Sequence, residues 1–573
     1  MIQRLKQSPW GLIALMGGWV SGGDAWAQAQ LAQTVFPDNA PIEESTPLPP
    51  LPPDDALIDL PAPELDLPAV PLEDAPETIF VSEFEIIGST VFSPAELDEL
   101  TAPYRQRELS VAELFQVRSA ITERYVEAGY LNSGAFIPPQ TLTDGIVQIQ
   151  VIEGRLADIQ VSIEGRLQAD YVRHRLARAG TAPLNSERLI EGLRLLQLDP
   201  LIETISAELT AGTEPGTSIL QVEVIVADTF AVDLITNNNR SPSVGSWRRG
   251  VAVTESSLFG LGDRIQLEYL NTEGSNEANL DYTLPVNARN GTVQLTGGLS
   301  DSSVIEDPFN FLDIQSEAQD FALRYRQPLV QTPNQEFALG LSFSHSRAKT
   351  EFLQALIGQA VGFPSPGADT EGRTRVSAVR FSQEWTRQEA RQVFSLFSEF
   401  SLGVGLLDAT VNATGPDSRF LLWRGQGQWV RLLAPDTLLL LRSDLQLTGD
   451  DLLPLEQFGL GGQQTVRGYR QDLLLTDSGL GFGAEVRLPI YRAPEIDGLL
   501  QVTPFVDLGT GWNNSAANPD PNVLASIGVG FLWQQGNQLS ARLDWGIPLV
   551  GVDKRTNSLQ ENGIYFSINY TPF

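Results

Sequence analysis

The 573-residue chain has no cysteine and only two histidines, His174 and His345. Disulfides and thiolate chemistry are therefore excluded. Two imidazoles far apart in sequence do not make a zinc-type or histidine-rich site, and each reads as a surface or packing residue. Neither a phosphate-binding Gly-Lys-Ser/Thr loop nor a nucleophile-elbow motif is found. The expectation is a chain with no catalytic residues, no metal and no cofactor. Positive charge is also scarce: 38 Lys and Arg stand against 71 Asp and Glu, a formal net charge of −33. Without a basic surface to neutralise phosphates, nucleic acid is not an expected partner.

What is present starts with an export signal over residues 1–27. Arg4 and Lys6 precede the apolar run Trp10–Met16, and Ala25-Trp26-Ala27 supplies a small-x-small cleavage site before Gln28. A membrane anchor would need about 20 apolar residues, but Gly17, Gly18, Ser21 and Asp24 interrupt this run. No later stretch reads as a helical span. Three fates remain: soluble secreted, periplasmic, or β-barrel in an outer membrane. Residues 28–78 read as a disordered acidic linker. Twelve prolines fall between Pro37 and Pro76 among acids such as Glu43, Asp54 and Glu73, and no Lys or Arg occurs between Lys6 and Arg105. Proline stiffens such a chain and like charges hold it open, so it reads as a spacer.

Two mixed α/β segments follow, residues 79–154 and 155–228. In the first, Phe80–Gly88 alternates as a strand, and Ser93-Pro94-Ala95-Glu96 is a helix start with proline at the first helical position. Ser110 opens a second helix, with Val111, Leu114, Phe115, Val117, Ile121 and Tyr125 at core spacing and Gly129 as its stop. Strands follow at Ala135–Pro138 and Gly145–Gly154. The second segment repeats the order: a strand at Leu156–Ile163, helices at 169–178 and 186–197, and strands at Ser206–Thr210 and Ser218–Val226.

From Thr229 to Phe573 the helical period gives way to alternation, as in Ile265–Tyr269, Phe321–Arg326 and Phe337–Ser344. Alternation alone also suits a soluble sandwich. The size of the region and a polar face rich in Arg, Glu, Gln and Gly favour a membrane barrel, with apolar side chains facing lipid. The length allows sixteen strands at about 21 residues per strand plus loop. Residues 351–375 read as a long loop.

Within this region Phe458–Tyr469 stands out. Gly459, Gly461, Gly462 and Gly468 crowd a short loop that presents a single cation, Arg467. Val466-Arg467-Gly468-Tyr469 resembles the signature of the outer-membrane insertase and translocator superfamily. The tandem strand-helix-helix-strand-strand order resembles POTRA domains of the haemolysin-activator type, most closely over Tyr130-Leu131 and Gln148–Arg155. Leu258–Asp263 looks like the turn that opens the barrel in that family.

The resemblance to two-partner secretion transporters implies two tandem α+β POTRA domains followed by an antiparallel transmembrane β-barrel of sixteen strands. It also implies that the glycine-rich loop folds into the lumen, where Arg467 meets an aspartate in a Phe-x-Asp-x-Gly strand motif. Phe505-Val506-Asp507-Leu508-Gly509 has that form. The implied partners are a secreted, β-rich exoprotein, outer-membrane lipid, and the barrel-assembly machinery, which reads a terminal phenylalanine. Phe573 is present, although Phe566, Ile568 and Tyr570 lie one residue out of phase with it and Pro572 removes a ladder donor. Two other readings stand beside this one: an insertase, which would carry additional POTRA domains, and a passive porin, which would leave the paired α/β segments unexplained.

Overall fold

A computed structural model describes residues 58–59, 78–554 and 556–572. The expected export signal, nearly all of the proline-rich stretch and Phe573 lie outside the described residues. The described residues divide into two compact units, one of residues 58–228 with 259–262, the other of 229–258 with 263–572. No described helix is long and apolar enough to cross a membrane.

The first unit holds both α/β segments. Ser93 and Ser110 each cap a helix through a reciprocal box. The Ser93 N–H donates to Glu96 Oε2 at 2.8 Å, and the Ser110 N–H donates to Glu113 Oε2 at 2.8 Å. These bonds satisfy donors that the first helical turn leaves unpaired. The helix Val111–Glu127 buries Leu114, Val117, Ile121 and Tyr125 against a three-stranded sheet. In that sheet Glu83–Ile87 runs parallel to Ile146–Ile152, which pairs antiparallel with Gly134–Phe136. The second segment repeats this pairing: Arg155–Glu164 runs parallel to Thr217–Val226, itself antiparallel to Ile202–Ala211, under the helices Ala169–Ala179 and Ser186–Gln197.

Three expectations need correction here. The single strand expected over Phe80–Gly88 is broken at Ser82, whose N–H donates to Gly145 O at 2.8 Å. Its first half, Thr78–Val81, pairs with a strand not expected from the sequence, Arg107–Ser110. Within the stretch read as disordered linker, Ile58–Asp59 adds to the open edge of the second sheet, parallel to Ala207–Glu208. Ile58 is buried in the second hydrophobic core. Ile58, in a stretch dominated by prolines and acids, finds there both unpaired backbone groups and apolar cover.

The second unit is a closed antiparallel barrel of sixteen long strands, from Phe230–Asn237 to Ile564–Tyr570. A two-residue strand, Val361–Gly362, also pairs along its wall. First and last strands meet over only four residue pairs, Leu234–Asn237 with Ser567–Tyr570. The even strand count returns the chain to the rim where it began. The links at that inner rim are short, such as Pro333-Asn334 and Pro435-Asp436, while the long connections lie at the opposite, outer rim. This asymmetry is that of outer-membrane barrels.

Alternation sets the two faces of the wall. Leu267, Tyr269, Phe321, Leu323, Phe400 and Leu543 point outward and exposed, forming an apolar band suited to lipid. Phe566, Ile568 and Tyr570 share that alternate register on the last strand. Leu258–Asp263 does not open the barrel, since it joins the second strand, Arg248–Ser256, to the third, Arg264–Asn271. The loop expected over 351–375 is shorter, because the flanking strands extend to Phe352 and start at Arg373. Between them a helical turn, Gln354–Ile357, and the short strand Val361–Gly362 are ordered by packing of Phe352 on Phe363, ring centroids 5.0 Å apart.

Candidate functional site

The connection between the barrel strands Thr437–Thr448 and Ser478–Ala493 folds back into the lumen. Its arms pair as a small hairpin, Phe458–Leu460 with Leu474–Thr476, and its tip carries Val466-Arg467-Gly468-Tyr469. Phe458, Leu460, Val466, Tyr469 and Leu474 cluster with Leu524 of the wall. The loop thus has an apolar core of its own, which rigidifies the tip. Gly468 takes a left-handed φ of +99°, which L side chains rarely adopt, and this turn swings Arg467 and Tyr469 to different parts of the wall.

Among the described residues Arg467 is the largest fully buried side chain, 1% exposed. Its Nε donates to Asp507 Oδ2 at 2.7 Å and its Nη2 to Asp507 Oδ1 at 2.9 Å, the parallel two-point geometry that suits a guanidinium to a carboxylate. The Arg467 backbone N–H adds a third bond to Oδ2 at 3.2 Å. Asp507 lies on the strand Gly498–Trp512, where alternation turns Phe505, Asp507 and Gly509 into the lumen and leaves Val506 and Leu508 outside. All three inward residues serve the loop. The Arg467 guanidinium stacks over the Phe505 ring at 3.4 Å. At Gly509 a β-carbon would lie 2.9 Å from both Leu460 and Val466, so the bare backbone makes room for the tip.

Several contributors were not identified from the sequence. Arg467 Nη1 also donates to Glu485 Oε2 at 2.6 Å. Glu485 accepts from Arg542 and from Arg487 Nε at 3.1 Å, while Arg542 Nε donates to Asp544 Oδ2 at 2.8 Å. Gln463 of the loop reaches Asp544 Oδ2 at 2.8 Å, and Arg442 Nη2 lies 3.4 Å from Asp507 Oδ1. Four guanidiniums, of Arg442, Arg467, Arg487 and Arg542, thus face three carboxylates, of Glu485, Asp507 and Asp544, leaving one positive charge in excess. Apart from Arg467 on the loop, each charge sits at an inward position of an alternating strand, so the pattern marks them as lumen residues. Their mutual pairing depends on barrel register, which no local pattern contains.

Tyrosines fix the other side of the tip. The Tyr469 hydroxyl donates to Ala525 O at 2.7 Å and accepts from the Val550 N–H at 3.1 Å. On the last strand, the Tyr565 hydroxyl accepts from the Gly468 N–H at 2.9 Å and donates to Tyr469 O. Such an arrangement holds a loop in a channel. Among the described residues, no cluster of His, Asp and Glu is arranged to hold a metal. His174 is exposed, and His345 Nδ1 is 2.9 Å from Ser377 Oγ.

Comparison with known proteins follows the same division of the chain. Residues 79–154 match the ShlB-type POTRA domain. The outer membrane transporter CdiB of Escherichia coli is 24% identical over 488 residues, spanning 82% of this chain and 79% of that protein. The heme/hemopexin transporter protein HuxB of Haemophilus influenzae is 21% identical over 494 residues, 82% of this chain and 83% of that protein. The solved structure of CdiB from Escherichia coli superposes with a TM-score of 0.65 at 20% identity, covering 88% of this chain and 93% of that one, and so shares the fold. The model of the haemolysin secretion/activation proteins ShlB/FhaC/HecB matches residues 216–532, more than half of the chain, and the chain belongs to that family of outer-membrane secretion transporters.

Proposed function

We propose that this chain exports one large, β-rich exoprotein of the adhesin or haemolysin type across the outer membrane. The two α/β segments, residues 79–154 and 155–228, act as POTRA domains in the periplasm and receive the unfolded exoprotein, pairing its extended segments with a sheet edge. The barrel, residues 229–573, conducts it outward. The observation that carries this reading is the loop seated in the lumen by Arg467 on the Phe505-x-Asp507-x-Gly509 face. A passive porin would leave the paired α/β segments ahead of the barrel unexplained. Val466, Arg467, Gly468 and Tyr469 with Phe505, Asp507 and Gly509 are proposed as the residues that control passage. The outward apolar band contacts lipid, and the barrel-assembly machinery inserts the chain.

The test uses a large exported β-rich protein as the candidate exoprotein. Its N-terminal segment is co-expressed with the full chain, or with the chain lacking residues 79–228, and the amount reaching the medium is measured. Release that needs both the barrel and those residues is expected. Correct insertion without release would overturn the reading and favour an insertase, which depletion would then reveal as loss of other barrels from the membrane.

A further inference from the structure

We infer that Arg470 is a positioning residue that latches the lumen loop to the outer rim, separately from Arg467. The next charge along the tip after Arg467, it is 3% exposed and faces away from the mid-lumen cluster toward two rim carboxylates. Its Nη2 and Nη1 donate to Glu306 Oε2 and Oε1 at 2.9 and 3.2 Å, and Nη1 lies 3.5 Å from Glu561 Oε1. Glu306 and Glu561 are each 8% exposed, so this is a buried charge group with little solvent to screen it. The two carboxylates belong to different outer-rim connections, residues 304–314 and 549–563.

The neighbouring residue extends the stitch. The Gln471 N–H donates to Gln560 Oε1 at 2.8 Å, and Gln560 Nε2 donates to Arg240 O at 2.7 Å and to Asn238 O. Arg240 and Asn238 lie in the first outer-rim connection, residues 238–247. That connection already shares a small apolar core with 304–314 and 353–372 through Val244, Val304, Ile314 and Phe363. Two consecutive residues of the tip therefore join the loop to outer-rim connections that also contact one another above the lumen. None of their partners is shared with Arg467, whose carboxylates lie on wall strands.

A polypeptide leaving by the outer rim has to part these connections, so releasing Arg470 is the step that opens the outer mouth. The identity of what passes rests on the proposed function, but the latch does not. Its test is accordingly made without an exoprotein. The purified full-length chain and its Arg470→Ala, Arg470→Lys and Glu306→Gln variants are placed in planar lipid bilayers, with heat-modifiable gel mobility confirming a folded barrel. Arg470→Ala and Glu306→Gln should raise the frequency of open-channel events several-fold, and Arg470→Lys should stay near wild type because it keeps the charge. Two independent latches also predict that Arg467→Ala combined with Arg470→Ala opens more often than either alone. Folded Arg470→Ala and Glu306→Gln barrels that conduct as wild type does would overturn the proposal. So would a double variant no more open than Arg467→Ala. If Arg470→Ala does not insert, Glu306→Gln decides alone. Altered conductance without secretion would keep the latch and reject the export reading.

Discussion

Arg467 and Asp507 meet through two parallel hydrogen bonds of 2.7 and 2.9 Å, with neither side chain more than 1% exposed. Removing one partner takes the two-point counter-charge from the other and leaves Arg467 with Glu485, or Asp507 with Arg442, at a cost of up to about 3–5 kcal/mol. Arg467→Ala and Asp507→Ala should each abolish most exoprotein release while the barrel still inserts and runs as a heat-modifiable band. Asp507→Ala should be the more disruptive, because it also leaves Arg442 without its carboxylate contact. Wild-type release by both variants would refute a role for the pair.

Gly509 tests the seating of the tip without touching a charge. A β-carbon there would lie 2.9 Å from Leu460 and Val466, closer than side chains pack. Overpacking of this kind costs about 1–3 kcal/mol. Gly509→Val should therefore lift the tip, increase protease cleavage within residues 461–473 and reduce release, with Gly509→Ala intermediate.

In the first α/β segment, Glu153 accepts the Thr90 N–H at 2.6 Å, the Val91 N–H at 3.0 Å and the Tyr125 hydroxyl at 2.9 Å. Burial pushes its pKa up, but the bonds from Thr90, Tyr125 and Val91 outweigh this and hold it below the ordinary 4.5. A carboxylate depressed in the folded state contributes its stability above the unfolded pKa and loses it as pH falls through the folded one. Glu153→Gln should cost about 2 kcal/mol at neutral pH. Hydrogen exchange of the full chain should show residues 79–154 less protected, with the gap from wild type closing below pH 4.5.

Ile58 holds the added edge strand through one buried side chain. Replacing it with Asp removes about 1.5–3 kcal/mol of apolar burial and places a charge against the core. The strand should detach, and exchange at Ala207 and Glu208 should accelerate while the helices Ala169–Ala179 and Ser186–Gln197 stay protected.

Legibility of the fold followed the range of the signal. Ser93 with Glu96 and Ser110 with Glu113 are local signatures, and both helices start where these residues stand. Barrel alternation is also local: Val506 and Leu508 mark one face, Phe505 and Asp507 the other. The strand Arg107–Ser110 was hidden because its last residue is also the helix cap, so the cap signal masked the pairing. Glu485, Arg542 and Asp544 could be placed on the lumen face but not together, since their approach depends on closure of a sixteen-strand wall. Arg470 and Glu306 lie 164 positions apart, and no spacing rule links residues at that range.

Tyr565 adds an ordering in time. The residue that receives the Gly468 N–H lies on the last strand, 97 positions after it. In a wall that still lacks this strand, the tip has Asp507 to hold but not this hydroxyl. Only when Ile564–Tyr570 joins the wall is the Gly468-Tyr469 turn bonded on both sides. A fully seated tip is therefore a mark of a finished barrel, and an unfinished one carries its loop loose.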